Sequence, residues 1–252
     1  MGASVVVITG AGRGIGRALA LYFAEHGWVV IIIEVNAEVA RETEALIRRH
    51  SPSSIAYVAD IRDEERIMAV LEEVHTRHGH IDALINNAGI TDREHRQILE
   101  LPSEMWREII SVNLTGTFLV LKSCARLMVS QGAGNIVNVT SLLAQRGQAR
   151  AGDAPYGVSK AGVEALTEYA AVELKPFGIN VNAVYPGVMV DTGFFDHLPP
   201  QERAKLARPT ILNELVYLLA NLAPGELTGV SICALKWREN PELLALAERY
   251  LK

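Results

Sequence analysis

A tyrosine and a lysine lie four positions apart in the stretch YGVSK, Tyr156 to Lys160, and the apolar-periodic run AGVEALTEYAAVELK follows at once. On a helix two such residues sit one above the other. A free phenol titrates near pH 10, so bringing it close to neutrality takes about three units, roughly 4 kcal/mol of preference for the phenolate. An ammonium at that spacing can supply part of the field. Alone, the pair is equally at home as a packed tyrosine and a snorkelling lysine. A second feature gives it chemical company. TGAGRGIGRALALYF carries Gly10, Gly12, Gly14 and Gly16 between an apolar run and an amphipathic one. Glycines there let backbone N–H groups close on a phosphate, and a helix N-terminus favours the negative charge. Eighteen residues past Gly16, Glu34 ends the next apolar run, where a carboxylate can accept from both hydroxyls of an adenosine ribose. Phosphate cradle and ribose acceptor together predict dinucleotide binding.

The elements that must carry these groups follow from the patterning. Residues 4–9, 28–33, 54–59, 81–86, 135–140, 179–184 and 229–235 are short, largely β-branched runs, too uniformly apolar for strands with one wet face. Helical patterns fill 14–26, 37–50, 63–78, 103–131, 156–176 and 210–222. Strand–helix alternation predicts an α/β fold, a doubly wound parallel sheet of about seven strands with helices on both faces. Residues 1–252 read as a single domain with no linker or repeat. The irregular stretches 87–102, 141–155 and 186–209 each follow a strand's carboxyl end, where open α/β sheets bind ligands.

Composition excludes several functions. A formal net charge of −5 with mixed signs argues against a nucleic-acid footprint, and no run of about eighteen apolar residues suggests a membrane span. The first apolar run is short and has no basic leader, so no signal peptide is expected. Cys124 and Cys233 stand in unrelated contexts, and the seven histidines show no metal-ligand spacing. A protein of the reducing cytoplasm, holding no metal, is the expectation.

With these motifs in order, the chain resembles the short-chain dehydrogenase/reductase family. TGAGRGIG is similar to that family's TGxxxGxG, NNAG (86–89) follows the fourth strand, VNLTG supplies Asn113, NVTS supplies Ser141, YGVSK supplies Tyr156 and Lys160, and YPG follows the sixth strand. The resemblance implies an oxidoreductase that interconverts a secondary alcohol and a ketone with a nicotinamide cofactor. Tyr156 would be the general acid/base, Lys160 would lower its pKa and hold the nicotinamide ribose, Ser141 would hydrogen-bond the substrate oxygen, and Asn113 would hold a water of a proton relay. Thr140 is the alternative to Ser141. Gly10, Arg13, Gly14, Ile15 and Gly16 would form the phosphate loop. Asp60 and Ile61 would meet the adenine, and Asn87, Ala88 and Gly89 the adenosine ribose. Pro186, Gly187 and Thr192 would hold the carboxamide. Thr192 falls one residue later than the family's PGxxxT places its threonine.

NAD(H) is favoured, with NADP(H) left open. A 2′-phosphate within ~4 Å of Glu34 would meet repulsion on the order of a few kcal/mol at an effective dielectric of ~20. Arg13 pulls the other way, since it could pair with that phosphate. A substrate lid is expected around 188–209, with Phe194, Phe195 and Leu198 as its apolar handles. An atypical helix around 240–251 would pack on its own subunit or a neighbour's. The partners expected are a small alcohol or ketone and further copies of the chain, as a homodimer or homotetramer. Basic residues in TDREHR (91–96) and RGQAR (146–150) would rim the substrate cleft, which would suit an anionic or polyhydroxylated substrate. Two other functions compete: an NADPH-dependent 3-oxoacyl thioester reductase, and a non-catalytic cofactor-binding regulator, which would have no use for all of Asn113, Ser141, Tyr156 and Lys160.

Overall fold

A computed structural model of the chain describes residues 2–251. The apolar runs become β1 (Val5–Thr9), β2 (Val29–Glu34), β3 (Ile55–Val58), β4 (Ala83–Asn86), β5 (Gly134–Val139), β6 (Ile179–Tyr185) and β7 (Ser231–Cys233). They form one sheet, parallel throughout, in the order β3-β2-β1-β4-β5-β6-β7. In β1, Val6 and Ile8 face one helical layer, Val5 and Val7 face the other, and all four are fully buried. A sheet covered on both sides leaves no place for alternating polar residues, hence the continuous apolar runs.

One face is covered by α1 (Gly14–Glu25), α2 (Ala37–Ile47), α8 (Asn213–Ala220) and α9 (Pro241–Tyr250), through Leu19, Phe23, Ile47, Leu215 and Leu246. The other is covered by α3 (Glu64–His78), α5 (Thr117–Gln131) and α6 (Ala154–Leu174). A single turn, α7 (Pro200–Arg203), lies in the segment after β6.

The long helix expected over 103–131 is two α-helices, α4 (Ser103–Ile110) and α5, joined by a π-helical turn, Ser111–Gly116. By length and composition this 29-residue rod could cross a bilayer, yet half of its most apolar window is buried inside the protein, which accounts for the apolarity. The π-turn holds Asn113, fully buried, at its centre. An inserted residue re-aims side chains on a helix and is found at functional sites.

A polar thread crosses this apolar layer. Asn86 Nδ2 donates to Asn138 Oδ1 at 2.9 Å, and Asn138 Nδ2 donates to Thr167 Oγ1 at 2.9 Å. It ties the ends of β4 and β5 to α6, the helix that carries the tyrosine and lysine. The C-terminal helix packs on its own subunit: Leu243 and Leu246 enter the core beside Trp237, and the Tyr250 hydroxyl donates to Glu226 at 2.8 Å. Leu246→Ala should therefore lower the unfolding free energy by about 2–5 kcal/mol, read as an earlier denaturant midpoint at unchanged slope.

Candidate active site

Strand order reverses between β1 and β4, the two neighbours whose connections leave in opposite directions along the sheet. Their carboxyl ends open into a cleft of about 1020 Å³. That volume is at the upper end of the range for small-molecule sites, enough for a ligand the size of a dinucleotide.

The cleft floor is pinned by the Thr9 hydroxyl, whose oxygen accepts from Asn87 N and Ala88 N, both at 3.1 Å. Asn87 Nδ2 returns two bonds, to Thr9 O at 3.1 Å and Gly10 O at 3.0 Å. Gly10 has φ +64°, and a Cβ on it would stand 2.6 Å from the Ala88 backbone, so only glycine closes this contact. A Cβ on Gly16 would stand 2.5 Å from Asn87 Nδ2. Arg17, outside the expected set, braces the loop from behind, with Nε donating to Gly12 O at 2.8 Å. Helix α1 begins without any side-chain cap, whereas Asn36 and Asp63 cap α2 and α3. Its first N–H groups thus lack a side-chain acceptor, the arrangement that suits an anion.

Glu34 is fixed by two backbone donors, Gly12 N at 3.0 Å and Asn36 N at 3.1 Å. Arg13 extends away from it, toward the segment after β6, with NH1 3.8 Å from Asp196 Oδ2. Asp196 also meets Arg203 at 3.3 Å, and Arg203 binds Asp191 at 2.7 Å, so a ladder of charges closes the lid over the glycine loop. Asp60 is held by Arg62, whose NH2 lies 2.6 Å from Oδ2, and that bond holds its carboxyl below the usual range. Ile15, Ile61, Ala88, Gly89, Pro186 and Gly187 all line the cleft. Thr192 lines it too, its methyl against Gly14 and its hydroxyl oxygen accepting from Phe194 N at 3.4 Å.

At the far end stand Ser141, Tyr156 and Lys160. Ser141 lies just past β5, where its oxygen accepts from Leu143 N at 3.2 Å, and its hydroxyl is close enough to Tyr156 to favour the phenolate. Thr140 instead turns inward and bonds Glu164 at 2.5 Å. Lys160 Nζ donates to Val139 O at 2.8 Å and sits 5.8 Å from the Tyr156 ring centroid. Burial pushes the Tyr156 phenol up to about 12, against the bond from Ser141. Burial likewise pulls Lys160 down to about 8, with Glu164 opposing. Burial is the largest influence on both groups. The ring of Phe194 meets Tyr156 edge-on at 5.8 Å, which closes the site from the lid side. Phe195 also lines the cleft; Leu198 does not.

Asn113 works as a clamp. Its Oδ1 accepts from Ile90 N at 2.8 Å, and Nδ2 donates to Ile90 O at 2.9 Å and Ser159 Oγ at 3.0 Å. A Cβ on Gly89 would lie 3.3 Å from Asn113 Oδ1 and 3.5 Å from Lys160 Nζ, so amide and ammonium flank one point. His95, in the stretch expected to rim the cleft, and Asp153, unmarked in the sequence, also line it, with His95 Nδ1 2.9 Å from Asp153 Oδ1. The signals for them were the stretch TDREHR, whose basic residues are expected at the cleft rim, and Asp153 two residues before Pro155, the pattern of a helix start. No group of histidine, cysteine and acidic residues among the described residues is arranged to hold a metal.

Known proteins resemble this chain in sequence and fold. The family model described as short chain dehydrogenase matches residues 4–203. A cis-4-hydroxycyclohexanecarboxylate dehydrogenase of Sinomonas cyclohexanicum is 37% identical over 234 residues, covering 89% of this chain and 92% of its own. A 3-oxoacyl-(acyl-carrier-protein) reductase of Thermotoga maritima is 34% identical over 238 residues, covering 89% and 93%. Among solved structures, an NAD+-bound xylitol dehydrogenase superposes with a TM-score of 0.82 at 30% identity, over 91% of this chain and 96% of that one. The chain belongs to the short-chain dehydrogenase family of oxidoreductases.

Proposed function

We propose that the chain interconverts a secondary alcohol and a ketone, using Tyr156 as the proton donor and acceptor. The observation that carries this reading is the convergence of Ser141, Tyr156 and Lys160 at one end of a cleft whose other end is a glycine-rich, uncapped helix terminus. A nicotinamide dinucleotide in that cleft supplies or accepts the hydride. In the reductive direction Ser141 donates to the carbonyl oxygen and positions it, and Tyr156 gives its phenolic proton to the same oxygen. In the oxidative direction Tyr156 takes the hydroxyl proton back. Lys160, anchored on the Val139 carbonyl, holds the nicotinamide ribose and keeps positive charge beneath the phenol. Asn113 fixes the backbone at Ile90, and its place beside Lys160 suits it to a water that passes protons to solvent.

Asp60 and Ile61 serve the adenine, Asn87 to Gly89 the adenosine ribose, and Pro186, Gly187 and Thr192 the carboxamide. NAD(H) is the favoured cofactor: the Glu34 carboxylate is locked by two N–H groups at the ribose end, and the nearby cation, Arg13, is engaged with Asp196. The relatives named above act on a hydroxycyclohexane acid and on 3-oxoacyl groups, so a cyclic alcohol leads and a 3-oxoacyl thioester is the second reading. We place the protein in the cytoplasm as a homodimer or homotetramer. The exposed stripe Val158, Ala161, Ala165, Tyr169 and Val172 along α6 recurs at three- and four-residue spacing, the pattern of a helix face that meets another helix.

Four measurements test this. Tyr156→Phe should lower kcat by about 10²–10⁴-fold while the dinucleotide still binds. With wild type, kcat/KM for ketone reduction should be level at low pH and fall above about pH 8 as Lys160 loses its proton, whereas alcohol oxidation should rise with pH. A reduction rate level to pH 10 would contradict the lysine's role. NADH should bind about 10- to 100-fold more tightly than NADPH by calorimetry, and Glu34→Ala should narrow the gap. Sedimentation should find an oligomer that Tyr169→Glu with Val172→Glu converts to smaller species.

A further inference from the structure

Charge is partitioned along the cleft. The end beside β2 and β3 holds the carboxylates of Glu34, Asp60 and Glu108, the last two bridged by Arg62 at 2.6 and 2.9 Å. The end beyond Tyr156 is lined by His95, Arg150 and Lys205. Asp153 also lines it, but that carboxylate is committed to His95 Nδ1 at 2.9 Å. Among the described residues, neither Arg150 nor Lys205 has a carboxylate within salt-bridge distance. This end of the cleft therefore carries positive charge that the protein leaves uncompensated.

His95 is set in place at local cost. With φ +49° it is the one non-glycine residue in the left-handed region among the described residues, a conformation that persists only when its surroundings impose it. The imposing group is Asp92, nearly fully buried, whose Oδ1 accepts from Glu94 N at 3.2 Å and Oδ2 from Arg96 N at 3.0 Å. One carboxylate thus winds the turn that presents His95. Gly152 supports it from the other side, since a Cβ there would stand 2.2 Å from the His95 carbonyl oxygen. Asp153 is the residue before α6 and of the type that caps helices with its own carboxylate. It makes no such cap, and its carboxylate goes to His95 instead. A strained backbone and a forgone cap thus meet in one wall of a cleft, the kind of local cost that gathers at functional sites.

We propose that Arg150 and His95 read a carboxylate on the substrate, so the alcohol or ketone that reaches Tyr156 is a hydroxy or oxo acid. The inference rests on the oxidoreductase reading above. Asp153 Oδ1, 2.9 Å from Nδ1, engages that ring nitrogen and leaves Nε2 of the cleft-lining imidazole for a ligand, while Arg150 offers a planar fork suited to carboxylate. Leu143, Met189 and Phe194 line the same cleft, so the body that separates the carboxylate from the reacting carbon is hydrocarbon, a ring or short chain. Asp153 is a positioning residue for this subsite.

Steady-state kinetics on matched pairs tests the assignment: secondary alcohols carrying a carboxylate on a cyclohexane ring or short chain against their carboxamides, with a polyol and a 3-oxoacyl thioester beside them. Wild type should prefer the acid over its amide by about 10- to 100-fold in kcat/KM, chiefly through KM. Arg150→Gln and His95→Gln should each shrink that ratio to a few-fold, and the double variant should bring it near one. A ratio near one in wild type, preference for the polyol or thioester, or variants that lower acid and amide turnover in equal proportion would each overturn the subsite and leave the oxidoreductase reading standing. Absence of turnover across the whole panel would overturn that reading, and the subsite with it.

Discussion

A lysine ammonium buried against the carbonyl of Val139 fixes the geometry on which the site depends. Lys160 is almost wholly enclosed, and its Nζ donates to that carbonyl at 2.8 Å, at the carboxyl end of β5. A buried charge without a partner would be costly, so this bond selects one seating of α6 against the sheet. The thread from Asn86 through Asn138 to Thr167 holds the same helix two turns further along. With α6 seated, Tyr156 comes to rest beside Ser141, the second residue beyond the strand that carries the lysine's acceptor.

The helices differ in how they begin. Asn36, Asp63 and Asn240 cap α2, α3 and α9 with their own side chains. The two helices that open onto the cleft, α1 and α6, have no such cap. At α1 the freed N–H groups face the glycine loop; at α6 the would-be cap, Asp153, is turned to His95. At both ends the polar groups freed by the missing cap lie at the cleft, in keeping with the location of strain and unmet polar groups at functional sites.

The π-turn belongs to the same design. It places Asn113 where both ends of its amide engage the backbone of Ile90, just after Gly89, so the chain leaving β4 is held at the cleft floor. The lid is anchored to that floor by charge, through Arg13, Asp196, Arg203 and Asp191. An arginine that the sequence offered as a phosphate partner has a second occupation, as a strut between glycine loop and lid.

By itself the sequence determined the parallel sheet, the glycine loop, Glu34 at the end of β2 and the Tyr156–Lys160 spacing. Each is written in local periodicity or in a contiguous motif, so β1 at Val5–Thr9 and α6 at Ala154–Leu174 fall within a residue or two of the patterns that predict them. Even the break at Asn113 had a faint trace, a poor helix former within a long apolar helix. Only the tertiary structure decided that Arg13 turns to Asp196, that Asp153 abandons its cap for a histidine 58 residues away, and that α9 folds back onto its own core. Those partners are distant in the chain and meet through loops of irregular conformation. Which carboxylate a given cation meets then depends on packing and competing solvation, and neither leaves a period in the sequence.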